Sequence, residues 1–331
     1  LMLGILLSMT EFVIGGMLLF NVRSFWGSIT ALIFMIFFTP ITFYLATQQQ
    51  VSGHELVHDC GCFGDALILT NWQTFWKNII LLIPTVFLFI KRKQLSNQRI
   101  SMKWQHIIIG LLCAFSVVVS WYGYAHLPII DFRPYKIGTN IPKAMEIPAD
   151  APQPVYEYHL FYKNKKTGET KEFSLENYPK DSLWEFVDTK NVLVKEGFVP
   201  KITGFSINGK DGDIIQEVLS DSNLVFMVVE YDLSIANSEI QSKLNDICNR
   251  AMKDKYRVLA LSATVESQVE EFRKQHNIQY PFYSADPITL KTVIRSNPGL
   301  VLIKNGTVLA KWHYNDFPDY QTIIKMYDGK K

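Results

Sequence analysis

Cysteine is scarce in this chain: four residues in 331, two of them one position apart in DCGCFGD. Charge is scarce before residue 127, and Lys and Arg are absent altogether between positions 47 and 74. No G-x-G-x-x-G, phosphate loop or known metal motif occurs, so nothing points to a bound soluble cofactor or a covalent one. The formal net charge is only +2, with no basic stripe interleaved with aromatics. That removes the usual footprint of a nucleic-acid partner. What is present divides cleanly: the long apolar runs precede residue 127 and most of the charge follows it. The chain reads as two bodies, one for lipid and one for water.

Four stretches are long and apolar enough to span a bilayer, which takes roughly 20 such residues. They run from Leu1 to Phe20, Phe25 to Ala46, Phe75 to Ile90 and Ile107 to Ala125, with Trp and Tyr at their ends. Lys91, Arg92, Lys93, Arg99 and Lys103 lie between the third and fourth, whereas the connection between the second and third has no cation. The positive-inside rule therefore predicts residues 91–103 in the cytoplasm. DCGCFGD and everything after Ala125 are then expected on the far side, the periplasm of a Gram-negative cell. Residue 1 is Leu within an apolar run that lacks a basic flank. The expectation is a further span upstream rather than a signal peptide.

Cys60 and Cys62 are thus expected at a membrane surface in an oxidising compartment. A disulfide across one intervening residue strains its small ring, and Gly61 is the residue best able to accept that. Strained, exposed disulfides are oxidising and suited to exchange. Asp59 and Asp65 oppose a thiolate, while a protonated His54 or His58 favours one. Two other readings stay open. One is a metal site from His54, His58, Cys60 and Cys62, or a structural disulfide to Cys248; the other is a packing motif.

CGCFGD, followed by NWQTFWKN at Asn71 to Asn78, resembles the DoxX/MauE family of small membrane proteins in its Bacteroidetes form. The resemblance covers residues 1 to about 126. It implies membrane thiol chemistry: maturation of a disulfide-rich dehydrogenase for MauE, and sulfur or thiol oxidation with electrons passed to quinone for DoxX. The HELVH segment before the cysteines departs from the family pattern. Within the spans, Glu11 is a carboxyl at a depth where charge is costly, and Lys77 is its candidate partner if the first and third spans pack together. Cys113 reads as packing.

Residues 127–154 read as a proline-punctuated extended linker, and residues 155–215 as a small β-rich module built on a hairpin around KNKKTGE. From residue 216 to 331 strands and helices alternate as βαβαββα. Asn305-Gly306 joins the last two strands, and Pro298 precedes them as a candidate cis-proline. That order resembles the thioredoxin fold, so the fold class expected is a membrane helical bundle followed by an α/β thioredoxin-like domain. Thioredoxin-like enzymes carry C-x-x-C after the first strand. Here that turn, Tyr231 to Glu239, holds no cysteine, and Cys248 falls farther along as a small buried hydrophobe.

The expected function is a membrane thiol–disulfide redox protein, with Cys60 and Cys62 oxidising client thiols and passing electrons to a membrane carrier such as quinone. The alternative is a non-catalytic membrane subunit whose periplasmic domain docks on a larger envelope complex. The domain is expected to present a peptide groove at Pro298 or, alternatively, a docking platform, and the partners are the lipid bilayer and a periplasmic protein client or envelope complex.

Overall fold

The computed structural model describes residues 2–52, 64–95, 100–195 and 197–329. Four long helices come first: α1 (Met2–Leu19), α2 (Ser24–Ser52), α3 (Asn71–Ile90) and α5 (Met102–Ala125), with the one-turn helix α4 (Arg92–Leu95) before the last. All four are long and apolar enough to cross a membrane. Their outer surfaces expose Ile33, Ile36, Phe37, Ile83, Phe87, Leu111 and Val118, a surface suited to lipid rather than water. Helix α3 starts at Asn71, ahead of the apolar run, because Thr70 caps it. The Thr70 hydroxyl accepts from the Gln73 backbone N–H at 3.2 Å, and the Gln73 side chain accepts from the Thr70 N–H at 2.9 Å. This reciprocal capping satisfies two otherwise orphaned donors.

Helix α2 is the hub, packing against α1, α3 and α4, while α1 also packs against α5. Gly16 of α1 is what lets α5 close in, since a Cβ there would meet Leu112 Cδ1 at 2.6 Å. Between α2 and α3 the buried Asn78 amide donates to Thr42 Oγ1 at 3.2 Å, above an aromatic cluster of Phe43, Trp72 and Phe75. Four crossings must alternate in direction. The ends of α2 and α5 and the start of α3 therefore share one end of the bundle, and Arg23, Lys91, Arg92, Lys93 and Lys103 share the other.

Beyond α5 comes the short helix α6 (Ile141–Met145), then a three-stranded antiparallel sheet of β1 (Val155–Asn164), β2 (Thr170–Ser174) and β3 (Trp184–Lys195) in the order β2-β1-β3. The two-residue strand period puts Tyr156, Tyr158, Leu160, Tyr162, Phe173 and Phe186 on one face. Glu157, His159, Lys163, Glu172 and Lys190 take the other. Tyr162 packs edge-on against Phe173 and Phe186, yet no helix is laid over this face among the described residues.

The second sheet has seven strands in the order β10-β9-β6-β7-β8-β4-β5. These are β4 (Asn208–Gly209), β5 (Gly212–Asp213), β6 (Val225–Val229), β7 (Arg257–Ser262), β8 (Phe282–Ser284), β9 (Gly299–Lys304) and β10 (Thr307–His313). Helices α7 (Ile215–Leu219), α8 (Gln241–Lys253), α9 (Glu266–Gln275), α10 (Pro287–Val293) and α11 (Tyr320–Tyr327) connect and cover them. Strands β6, β7 and β8 are parallel, and β9 and β10 run antiparallel to their neighbours. With α8 crossing from β6 to β7 and α11 following β10, the order β7-β6-β9-β10 is thioredoxin-like. All five residues of β6 are buried, as a strand covered on both faces requires. Val225, Met227 and Val229 face a core with Ile141, Leu290 and Val301; Phe226 and Val228 face the other core with Leu244, Ile247 and Leu300.

Three features depart from the reading of the sequence. Strand β8 is additional, three residues following Pro281 that pair with β7. Tyr135 and Ile141, expected in an extended linker, are buried in the sheet's core. So are Ile202, Phe205 and Ile207, expected in the β-rich module. These apolar residues stand singly among Pro, Gly and polar positions, so no periodicity announces them. Their place is set by long-range backbone bonds, Ile141 N–H to the Gly306 carbonyl at 2.8 Å and Ile202 N–H to the Ala144 carbonyl at 3.1 Å.

Candidate functional site

The turn between β6 and α8 faces the loop before β9. The Asn297–Pro298 peptide is cis, as its position before the strand suggested. Asn297 ties the two loops together. Its side-chain amide donates to the Asp232 carbonyl at 2.6 Å, and its own carbonyl accepts from the Asn237 N–H at 2.9 Å. Asp232 in turn caps the start of the turn, accepting from the Ser234 N–H and hydroxyl. Ser296 Oγ accepts from the Tyr314 N–H at 2.9 Å, which fixes the end of β10 to the same loop. No cysteine lies in this turn. Cys248 is fully buried on α8, and burial, with Glu230 nearby, pushes its thiol pKa well above the usual value. The thioredoxin-like domain therefore has no thiol poised for exchange.

Beneath the turn lies a polar cluster. The strand alternation that sends Phe226 and Val228 toward α8 sends Glu230 there too, next to Gln241, Cys248 and Tyr280. Glu230 is wholly buried and neither carboxylate oxygen has a hydrogen-bond partner. Burial raises its pKa to about 8, only partly offset by Gln241. Gln241 donates to Tyr280 Oη at 2.9 Å and leaves its own carbonyl oxygen without a partner. This cluster was not singled out from the sequence. The signal that could have found it is an acid closing the otherwise apolar strand VFMVVE.

The same end of the domain touches the membrane helices. The Asn315 side-chain amide donates to the Ala125 carbonyl at 2.8 Å, and His126 Nδ1 lies 2.7 Å from Asp316 Oδ1. Just past this junction Lys311, almost fully buried, pairs with Asp131 at 2.7 Å. Burial lowers the Lys311 pKa although Asp131 works against it.

Of the residues singled out in the membrane segment, Cys60, Cys62 and Asp59 lie outside the described residues, as do His54 and His58. Asp65 falls in a single 3-10 turn, Gly64–Ala66, that leads toward α3. The pairing of Glu11 with Lys77 is conditional on α1 and α3 packing together; among the described residues α1 packs on α2 and α5 while α3 packs on α2. Glu11 faces outward from the bundle.

Different parts of the chain match different known proteins. Residues 156–196 match a domain of unknown function, DUF8463. No curated protein matches the chain. Solved structures align with the C-terminal part. A thiol:disulfide interchange protein from Bacteroides sp. has 13% identity and a TM-score of 0.31, covering 38% of this chain and 88% of its own. A DsbF homologue from Corynebacterium diphtheriae has 14% identity and a TM-score of 0.29, covering 38% and 82%. The thioredoxin domain of a thiol-disulfide oxidoreductase from Bacteroides vulgatus has 14% identity and a TM-score of 0.30, covering 37% and 91%. Residues 1–91 match the family described as methylamine utilisation protein MauE, so the chain joins a MauE-like membrane segment to a thioredoxin-like domain.

Proposed function

We propose that this is a membrane thiol–disulfide redox protein in which Cys60 and Cys62 are the exchanging pair. A client thiolate attacks the Cys60–Cys62 disulfide, and the client's second thiol then displaces the mixed disulfide. The client leaves with a disulfide and the pair is left as two thiols, carrying two electrons and two protons. A lipid-soluble quinone takes up both electrons and both protons as quinol, and the Cys60–Cys62 bond re-forms. The thioredoxin-like domain, with no thiol in its turn, holds the client's extended chain beside Pro298.

One observation carries this reading. The chain segment with Cys60 and Cys62 joins the end of α2 to the start of α3, at the end of the bundle where α5 also finishes. The Pro298 end of the domain is bonded to that finish through Asn315 and Asp316. The cations gather at the opposite end, which by the positive-inside rule is cytoplasmic. Pair and domain then face the periplasm from a bacterial inner membrane. The test is the Cys60→Ser, Cys62→Ser double variant expressed in cells, with client thiols trapped in acid and counted. Client thiols should accumulate in the reduced form; unchanged oxidation sinks the proposal.

A second reading is favoured by the uncovered aromatic face of β1–β3, where Tyr156, Tyr158 and Phe186 remain exposed. It makes the protein a non-catalytic subunit docked on a larger envelope complex. Replacing Tyr158 and Phe186 by Ser would then release fixed partners on purification, while the cysteine variants would retain them.

A further inference from the structure

Past Ala125 the chain runs along the base of the thioredoxin-like domain and closes one wall of a cavity of about 340 Å³. The lining includes Arg133, Lys136, Arg295 and Lys311 against a single acid, Asp131. Four cations and one carboxylate leave a formal charge of +3. These residues are scattered through 180 positions and converge only in the fold. Two of them are held firmly. Lys311 is pinned by Asp131 at 2.7 Å, and the Arg133 guanidinium donates to the carbonyls of Lys291 and Thr292 at the end of α10.

The outer lip of this cavity is of the opposite character. Ile129 is 84% exposed and Ile130 65%, and Phe132 and Ile137 are exposed too. Four large apolar side chains turned outward around a cationic cavity are costly in water. They belong instead at a bilayer surface. Their position in the chain agrees: Trp121, Tyr122 and Tyr124 occupy the last turns of α5, where interfacial aromatics mark the headgroup level, and the lip follows within a few residues. A free anion would have no use for such a lip, and a protein partner would have to displace headgroups to reach it.

We propose that this cavity binds the headgroup phosphate of an anionic membrane lipid. Arg133, Lys136 and Arg295 meet the phosphate oxygens, and Ile129, Ile130, Phe132 and Ile137 lie against the upper acyl chain. Guanidinium groups suit this role, because their planar fork matches two phosphate oxygens at once. Basic pockets beside transmembrane helices recognise lipid headgroups by this chemistry.

The test uses the full chain purified from mixed micelles of phosphatidylglycerol and phosphatidylcholine, with retained lipid counted by native mass spectrometry. Phosphatidylglycerol should be retained about tenfold over phosphatidylcholine, a preference of the size expected when several cations meet one headgroup. Lys136→Gln with Arg295→Gln should abolish that preference. Both side chains are exposed, so the fold should tolerate the change. Ile129→Ser with Ile130→Ser, equally exposed, should weaken retention of the lipid without changing the charge. Lys91→Gln with Lys93→Gln, at the other end of the spans, should leave it as it was. Equal retention of the two lipids, or a preference that survives Lys136→Gln and Arg295→Gln, overturns the proposal. Displacement of the lipid by millimolar inorganic phosphate overturns its lipid part, marking a site for a free anion.

Discussion

The side chain of Asn315 donates a hydrogen bond to the carbonyl of Ala125 at 2.8 Å, joining the last residue of the membrane helices to the tip of the thioredoxin-like domain. Asp316, beside it, meets His126 at 2.7 Å. These bonds join residues 190 positions apart, and they hold the domain's loop end toward the bilayer.

Removing both contacts with Asn315→Ala and Asp316→Ala should loosen the domain from α5 without unfolding either part. A hydrogen bond contributes about 1 kcal/mol net, so local opening should rise by at least about tenfold. Faster hydrogen exchange and faster tryptic cleavage after Lys136 would report it. Unchanged rates would mean that the linker alone fixes the domain.

Glu230 gives the domain a pH dependence of defined sign. Its folded pKa, about 8, lies above its ordinary value because burial penalises the carboxylate. The unfolded chain therefore releases this proton first, and stability falls as pH rises from roughly 4.5 to 8. Glu230→Gln should remove most of that slope and raise stability at neutral pH by on the order of a few kcal/mol. Thermal melting of the purified protein across this range checks it. A slope identical in the variant would assign the dependence to other groups.

Cys248 should resist thiol reagents while the fold is intact. It is fully buried on α8 and its thiolate is disfavoured by burial and by Glu230. Maleimide labelling at mildly alkaline pH should reach Cys248 only after denaturation. Cys248→Ser should cost about 1–3 kcal/mol, since a hydroxyl takes the place of a thiol among apolar side chains. Rapid labelling of the native protein would contradict the packing described.

Gly306 should not tolerate a side chain. Its φ is +69°, and a Cβ would meet Pro142 Cδ at 2.6 Å and the Leu219 carbonyl oxygen at 3.1 Å. Gly306→Ala should destabilise the domain by about 1–3 kcal/mol, through the left-handed backbone and the displacement of α6. A melting temperature equal to that of the parent would refute this.

How much could be read beforehand differs by feature, for physical reasons. The four spans were legible because each is a long, nearly uncharged apolar run. The start of the third was not, because capping by Thr70 is a local hydrogen-bond matter that hydropathy misses. Asn305-Gly306 and Pro298 were legible because their backbone demands limit the residues allowed. Glu230 was not: a lone acid after a strand is ordinarily solvated, and only the packing of α8 and Tyr280 over it removes the water. Which spans pack together was not legible, because hydropathy gives the spans without their neighbours. The cavity at residues 127–137 was invisible, since its cations come from distant segments.

Strands β1 and β3 start and finish side by side. Val155 pairs with Lys195, and the Phe198 N–H donates to the Pro152 carbonyl at 2.8 Å. The three-stranded sheet thus enters and leaves the domain through a single gate, so it is built as an insert. Residues 155–195 could be excised and the gap bridged by a short turn, leaving both cores whole. Whatever this insert recognises can be exchanged without redesigning the fold that carries it.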